Sequence, residues 1–252
     1  AHKNGGMGGT QNASILSIGD NNISTEVYDG TAFSSTNNKP EGKAYTSKAG
    51  DYNSFQISAG NSPSSPAGSL TTLEWNGLTW VYGCNVNDIR QNGVGSGAQS
   101  SAFSAFGRNG TPYVTTTEEY TKNFIVPYTT NVWTKGAALA TARYLGAGGG
   151  TQDAALAFGG YNGGDKSCTE EYDGSSWTAG GALIIARHAL AGFGTQNAAV
   201  AVSGNSPTVN AAVEEYDGSS WASGNGVSTA RRYLAGAGTQ NSGIIFGGYV
   251  NA

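Results

Sequence analysis

Three stretches, Arg143-Tyr-Leu-Gly-Ala-Gly-Gly-Gly-Thr-Gln-Asp153, Arg187-His-Ala-Leu-Ala-Gly-Phe-Gly-Thr-Gln-Asn197 and Arg231-Arg-Tyr-Leu-Ala-Gly-Ala-Gly-Thr-Gln-Asn241, are copies of one another. The Gly before Thr-Gln falls at Gly150, Gly194 and Gly238. Weaker copies are anchored at Gly9, Gly50 and Gly97, so the six anchors are 41, 47, 53, 44 and 44 residues apart. Ten residues after each anchor stands another glycine: Gly19, Gly60, Gly107, Gly160, Gly204 and Gly248. Seven residues before each stands a basic-type residue: His2, Lys43, Arg90, Arg143, Arg187 and Arg231. Two independent offsets held over six copies define a repeat of about 40–50 residues, the period of propeller blades.

Each unit reads as four short strands. The small, apolar segment Tyr233-Leu-Ala-Gly-Ala is strand A. After Thr-Gln-Asn comes strand B, as in Ala155-Leu-Ala-Phe-Gly-Gly, and then strand C, as in Thr169-Glu-Glu-Tyr or Val213-Glu-Glu-Tyr. Asp-Gly is a strong hairpin signal, and it leads into strand D at Trp177 and Trp221. Tyr28 with Phe33 and Trp75 with Trp80 are the equivalents, whereas Tyr120 reaches Trp133 by a longer path. Gly and Ala suit innermost strands crowded round an axis, and large rings suit the wider space farther out. The expected fold is an all-β propeller with six repeat starts, forming one domain over residues 1–252 with almost no helix.

The Gly-Gly that ends strand B, the Glu-x-Tyr-Asp pattern of strand C and the Trp five residues after the Tyr resemble the kelch-repeat family. The likeness covers nearly the whole chain, most strongly from Arg143 to Gly248. The Ala/Gly-rich variant, with Glu-Glu-Tyr-Asp-Gly-Ser-Ser-Trp and Ala-Gly-Thr-Gln, is also similar to repeats in structural and tail-associated proteins of marine bacteriophages. The resemblance implies a kelch-like scaffold, which hosts many functions.

Strands C and D can be assigned five times, and only Tyr249-Val-Asn-Ala follows the sixth A–B pair. Blade six is therefore expected to be incomplete, continued by further chain, or covered at its edge by another polypeptide. The start at Ala1 fits a processed or excised portion of something longer. An open edge strand invites pairing, so other subunits of an assembly are expected partners.

The composition narrows the chemistry. Forty glycines and a charged fraction of only 12 % could signal disorder, but the apolar residues recur in regular short runs. A net charge of −4 implies no polyanion-binding surface, and no nucleic-acid partner is expected. No apolar run of about 20 residues exists for membrane insertion, and no signal peptide is visible. Cys84 and Cys168 lie in different repeats without a CxxC or Cys/His cluster, and read as ordinary small side chains. Asn12, Asn22 and Asn109 head glycosylation sequons. Histidine occurs only at His2 and His188. That is a poor supply for zinc, for a Ser-His-acid triad, or for the His and Tyr ligands that copper oxidases on kelch-like propellers need. No cofactor and no catalytic residue is expected. Gly236-Ala-Gly238 mimics part of a dinucleotide fingerprint but leads into a strand, not a helix. The pairs Glu118-Glu119, Glu170-Glu171 and Glu214-Glu215 are not acid–base dyads, because adjacent strand residues face opposite ways. One Glu of each pair is placed to hold a repeat Arg.

The basic set is the most informative constellation. Lys43, Arg90, Arg143, Arg187 and Arg231, completed by His2, are expected at one mouth of the central channel. They serve either as scaffold or as a site for an anion or acidic sugar, with Tyr144, His188 and Tyr233 adding stacking surfaces. The same face carries the D–A and B–C connections. The B–C stretch, from the second glycine to the strand-C aromatic, varies as 9, 15, 13, 12 and 12 residues, and variable loops on a rigid scaffold favour recognition. The expected function is a non-enzymatic propeller in an extracellular or virion assembly of phage tail or fibre type, mediating attachment or subunit contacts. The alternatives are a soluble lectin for cell-surface glycan and a degenerate oxidase or hydrolase.

Overall fold

The computed structural model describes residues 5–19, 22–63, 65, 68–109, 113–125 and 128–250. All of its regular elements are β-strands, each sheet is antiparallel, and the order within a sheet is the order of the chain. Blade 1 holds β1 (Gly6–Thr10), β2 (Ala13–Ser17), β3 (Thr25–Tyr28) and β4 (Phe33–Ser35). Blade 2 holds β5 (Ser47–Gly50), β6 (Phe55–Ser58), β7 (Thr72–Trp75) and β8 (Trp80–Tyr82). Blade 3 holds β9 (Val94–Ala98), β10 (Ser101–Arg108) and a long hairpin of β11 (Tyr113–Ile125) and β12 (Tyr128–Gly136). That hairpin is the longer path expected between Tyr120 and Trp133. Blade 4 holds β13 (Ala147–Gly150), β14 (Ala155–Phe158), β15 (Thr169–Tyr172) and β16 (Trp177–Gly180). Blade 5 holds β17 (Ala191–Thr195), β18 (Ala198–Val202), β19 (Val213–Tyr216) and β20 (Trp221–Ser223). The sixth sheet has two strands only, β21 (Arg232–Thr239) and β22 (Ser242–Tyr249).

The first strands of successive blades stand side by side, and β21 packs against β1, which closes the ring. The anchor glycines are needed because the chain reverses there with positive φ: a Cβ on Gly194 (φ 104°) would lie 2.3 Å from the carbonyl oxygen of Ala198. The glycines ten residues on turn the chain away from the mouth. The N–H groups of Gly60, Gly107, Gly160 and Gly204 donate to the backbone carbonyls of Arg90, Arg143, Arg187 and Arg231 in the next blade, at 2.8–3.0 Å.

Neighbouring blades are also joined by side chains that the repeat supplies each time. The indole N–H groups of Trp80, Trp177 and Trp221 donate to the hydroxyls of Thr25, Thr117 and Thr169 in the preceding blade. The rings of Trp221 and Trp177 pack on its strand-B aromatics, Phe158 on Trp221 at 4.8 Å and Phe103 on Trp177 at 6.2 Å. Phe246 on Phe33 at 5.5 Å repeats this contact across the closure of the ring. The strand-C tyrosine of each of blades 3, 4 and 5 donates its hydroxyl to a glutamate of the preceding blade, Tyr120 to Glu74, Tyr172 to Glu119 and Tyr216 to Glu171. Burial, reinforced by that carboxylate, pushes the Tyr216 phenol up to about 12. Gln99, Gln196 and Gln240 donate to carbonyls at the outer ends of strands B and C of the preceding blade.

Inside the blades the repeat cations are buried. Arg90 pairs with Glu118 at 2.6 Å, Arg143 with Glu170 at 2.5 Å, and Arg187 with Glu214. The same carboxylates accept backbone N–H bonds from the D–A turn, Glu118 from Asn87 and Asp88, Glu170 from Ala140 and Thr141, Glu214 from Ile184 and Ile185. Each guanidinium also donates to a strand-B carbonyl: Ser104, Ala157 or Ala201. The two Glu of each pair thus do different work, the first within its blade and the second, Glu119 or Glu171, between blades.

Removing one partner from a buried, hydrogen-bonded ion pair leaves an uncompensated charge, at a cost of about 3–5 kcal/mol. Arg143→Gln and Glu170→Gln are each expected to lower unfolding stability by that order, and the double variant by much less than the sum. Denaturant unfolding of the four proteins checks this.

Candidate functional site

The channel is lined by strand A, and its width follows from the small residues there. Three connected stretches have volumes of about 110, 100 and 120 Å³, from the D–A mouth to the Thr-Gln end. The mouth is lined by the residues two places after each cation, Tyr45, Asn92, Leu145, Ala189 and Tyr233. All five are non-glycine residues in the left-handed region, with φ from 54° to 59°. Each such residue costs about 1–2 kcal/mol. The conformation aims their peptide groups round the rim. Asn92 N–H donates to Tyr45, Leu145 to Asn92, Ala189 to Leu145 and Tyr233 to Ala189, all at 2.8–3.0 Å. This belt of backbone hydrogen bonds runs from blade to blade.

The basic ring expected at the mouth is not there. Lys43, Arg90, Arg143 and Arg187 are 0–1 % exposed and turn away from the channel into their own blades. They do so because the first Glu of strand C and the strand-B carbonyls offer partners there that channel water would have to replace. Lys43 differs in detail: blade 2 has Leu73 where the first Glu stands in blades 3 to 5. Its ammonium group is held instead by Ser69 (2.8 Å), by the carbonyls of Ala59 and Thr71, and by Glu41 at 3.5 Å. Arg231 is half-buried and donates to the Gly247 and Thr229 carbonyls, since its two-stranded sheet supplies no strand-C glutamate. Tyr233 does line the mouth, whereas Tyr144 and His188 lie outside it, on the rim. His2 lies outside the described residues.

Two lysines missed in the sequence occupy this scaffold in place of apolar or small residues. Lys39 stands where other repeats have Val86, Leu139, Leu183 and Val227, and it is 2 % exposed. Its Nζ donates to the Ile18 and Ser24 carbonyls at 3.0 Å, the blade-1 equivalents of two groups that hold Lys43. Blade 1 therefore receives its buried cation from the D–A connection. Burial lowers Lys39 to about 7. Lys48 stands where four repeats have Gly95, Gly148, Gly192 and Gly236, and blade 1 has Met7. Its side chain crosses the channel to the Gly236 carbonyl in blade 6 at 2.9 Å. It is the charged residue of the described channel lining. Both were legible as departures from the repeat at fixed offsets from the anchor.

On the rim, aromatic side chains from three blades form a continuous row. Tyr113 stacks on Tyr144 (4.9 Å, 17°), Tyr144 meets Tyr161 edge-on (5.9 Å), and Tyr161 meets His188 edge-on (5.2 Å). Nδ1 of His188 donates to Asp165 at 2.6 Å, and the Arg108 guanidinium lies 6.0 Å from the Tyr144 ring. All of these are partly or fully exposed. Tyr113, Tyr161 and Asp165 come from the B–C side of their blades, where the sequence already placed its variability. The opposite face is more regular, apart from the extended hairpin of blade 3. There Asp29, Asp173 and Asp217 each close the turn after strand C by accepting two backbone N–H bonds. Hydrogen bonds from these turns hold Asp173 and Asp217 down at about 2.

The cysteines are unpaired: Cys168 Sγ accepts from Arg143, and Cys84 packs beside Tyr120 and Trp133. Among the described residues no three His, Cys, Asp or Glu side chains converge as a metal-binding group.

The geometry defines a kelch-like β-propeller with five four-stranded sheets and a two-stranded sixth. No protein-family model and no curated protein matches the sequence. The solved structure of YjhT, a kelch-repeat protein, matches with a TM-score of 0.78 at 11 % identity, over 100 % of this chain and 92 % of YjhT. At that identity the likeness is one of fold.

Lys48 gives the channel a pH signature. Burial lowers its ammonium from 10.5 to about 8. Between those values the unfolded chain binds more protons than the folded one, so stability through this group rises with pH. Lys48→Met, which copies Met7, is expected to melt higher than the parent at pH 7. That advantage should shrink as pH rises from about 8 towards 10.5, as thermal melts across this range will show.

Proposed function

We propose that this chain is a non-enzymatic attachment module of an extracellular or virion assembly, and that its rim row binds a saccharide. The observation that carries the reading is the row Tyr113–Tyr144–Tyr161–His188, with Asp165 and Arg108 beside it. Exposed ring faces and edges give apolar surface to the C–H faces of a sugar, and phenol, imidazole, carboxylate and guanidinium groups give directional bonds to its hydroxyls. The propeller holds these groups on strands and short loops, so little ordering is lost on binding.

The virion setting is supported by the likeness of the Ala/Gly-rich repeat to phage structural proteins. Binding is favoured over catalysis because the buried charges, Arg90, Arg143 and Arg187 with their glutamates, are committed to the scaffold. A glycan array followed by titration of the best ligand tests the reading. Tyr144→Ala with Tyr161→Ala is expected to lower affinity at least tenfold with little change in melting temperature. Glycan binding that survives this double change, or an array without binders, would overturn it.

A further inference from the structure

The central channel holds one charge that its described lining does not answer. Its three connected stretches are lined by Gly, Ala and neutral side chains, with Lys48 as the exception. Lys48 borders the middle stretch and the one at the Thr-Gln end, and it is half-buried. It stands in the passage and is not sealed inside a blade. Its stem passes Gly6 of blade 1, where a Cβ would lie 3.5 Å from the Lys48 Cβ. Its Nζ then donates to the Gly236 carbonyl of blade 6 at 2.9 Å.

The other buried cations are answered differently. Arg90, Arg143 and Arg187 pair with Glu118, Glu170 and Glu214, and Lys43 has Glu41 at 3.5 Å. Lys39 shares its ammonium group between two carbonyls and is closed off inside blade 1. Among the described residues no carboxylate pairs with Lys48, and burial by itself lowers its ammonium to about 8. The group is therefore still largely charged at neutral pH. An ammonium has three donors, and the Gly236 carbonyl takes one. A charge withdrawn from bulk water without an opposite charge is unfavourable. Its attraction to a counter-ion is stronger in a narrow passage of low dielectric than in solvent.

We infer that the channel beside Lys48 is a binding site for one small monovalent anion of halide size, held by the Lys48 ammonium group. The ion does for Lys48 what the strand-C glutamates do for the arginines inside blades 3 to 5. One cation suits one negative charge, because a dianion would bring a second that nothing in the described lining offsets. Size follows from the walls. Gly95, Gly148, Gly192 and Gly236 stand at the position of Lys48 in four other blades and leave room beside its head group. The stretches that Lys48 borders, about 100 and 120 Å³, suit a halide and are too small for a nucleotide. The inference does not depend on the saccharide reading, because the rim row lies outside the channel mouth.

Sodium bromide is the probe, titrated calorimetrically into the full chain in halide-free buffer. One site is expected, and bromide-soaked crystals should give an anomalous peak within hydrogen-bond distance of Lys48 Nζ. Affinity should be level below pH about 8 and fall tenfold for each pH unit above it, because only the charged ammonium holds the ion. Lys48→Met, which copies Met7, should abolish binding. Lys48→Arg should retain binding without the break near pH 8, since a guanidinium stays charged. Bromide should also raise the melting temperature of the parent and not that of Lys48→Met. Sodium sulfate should bind at least tenfold more weakly than bromide. Binding that survives Lys48→Met, that sulfate matches, or that places bromide elsewhere would overturn the inference. So would binding seen at molar bromide alone, which would mark an adventitious ion only.

Discussion

A buried lysine or arginine sits in each of the five complete blades, and its need for partners organises the strands around it. An unpaired ammonium or guanidinium in such a place would be prohibitively unfavourable. The carboxylate that answers Arg90, Arg143 or Arg187 comes from strand C, the carbonyl from strand B, and the cation itself from the lead into strand A. The same carboxylate gathers the N–H groups of the D–A turn. One charge pair thus fixes where a blade begins, how its middle strands lie, and how the chain enters from the blade before. The tolerance of the arrangement is visible in blades 1 and 2. Lys39 brings an ammonium group to blade 1, and in blade 2 Lys43 relies on hydroxyl, carbonyls and the more distant Glu41 where Leu73 replaces the first Glu.

With the start of strand A pinned, the rim can hold residues in a conformation they would not choose alone. Tyr45, Asn92, Leu145, Ala189 and Tyr233 are left-handed, and each links its peptide to the neighbouring blade. The strain is offset by hydrogen bonds that would otherwise be unmade in a narrow mouth. The second contact layer lies farther out, where indole, phenol and glutamine side chains cross from blade to blade. Across the closure of the ring the described links are side chains, Phe246 against Phe33 and the Ser242 hydroxyl on Gln11.

The two faces diverge for a physical reason. On the Asp-Gly face, blades 1, 4 and 5 reverse the chain after strand C with the same short turn, in which Asp accepts the backbone N–H bonds. Blade 2 uses Asn76 in the same way, and blade 3 extends its hairpin instead. On the rim, the B–C connections are longer and their ends are held by the Gly turn and by strand C. Their middles are free to differ, so blade 4 can place Tyr161 and Asp165 beside Tyr144 and His188 without disturbing the sheet.

The blades and their strand order are legible in the sequence, and so is the pairing of one Glu of each Glu-Glu pair with a repeat Arg. These follow from short-range chemistry: a glycine where φ must be positive, alternation along a strand, and a spacing that holds from copy to copy. Tertiary structure alone decided the direction of the cations. A fixed offset from the anchor places Arg143 at the entrance of strand A, but whether it faces the channel or the blade interior depends on where Glu170 and the Ala157 carbonyl lie. It also decided the rim belt, since of Tyr, Asn, Leu, Ala and Tyr only Asn leans towards a left-handed backbone. The aromatic row belongs to the same class: its members are far apart in the chain, and they meet because three separately folded blades are set round one axis.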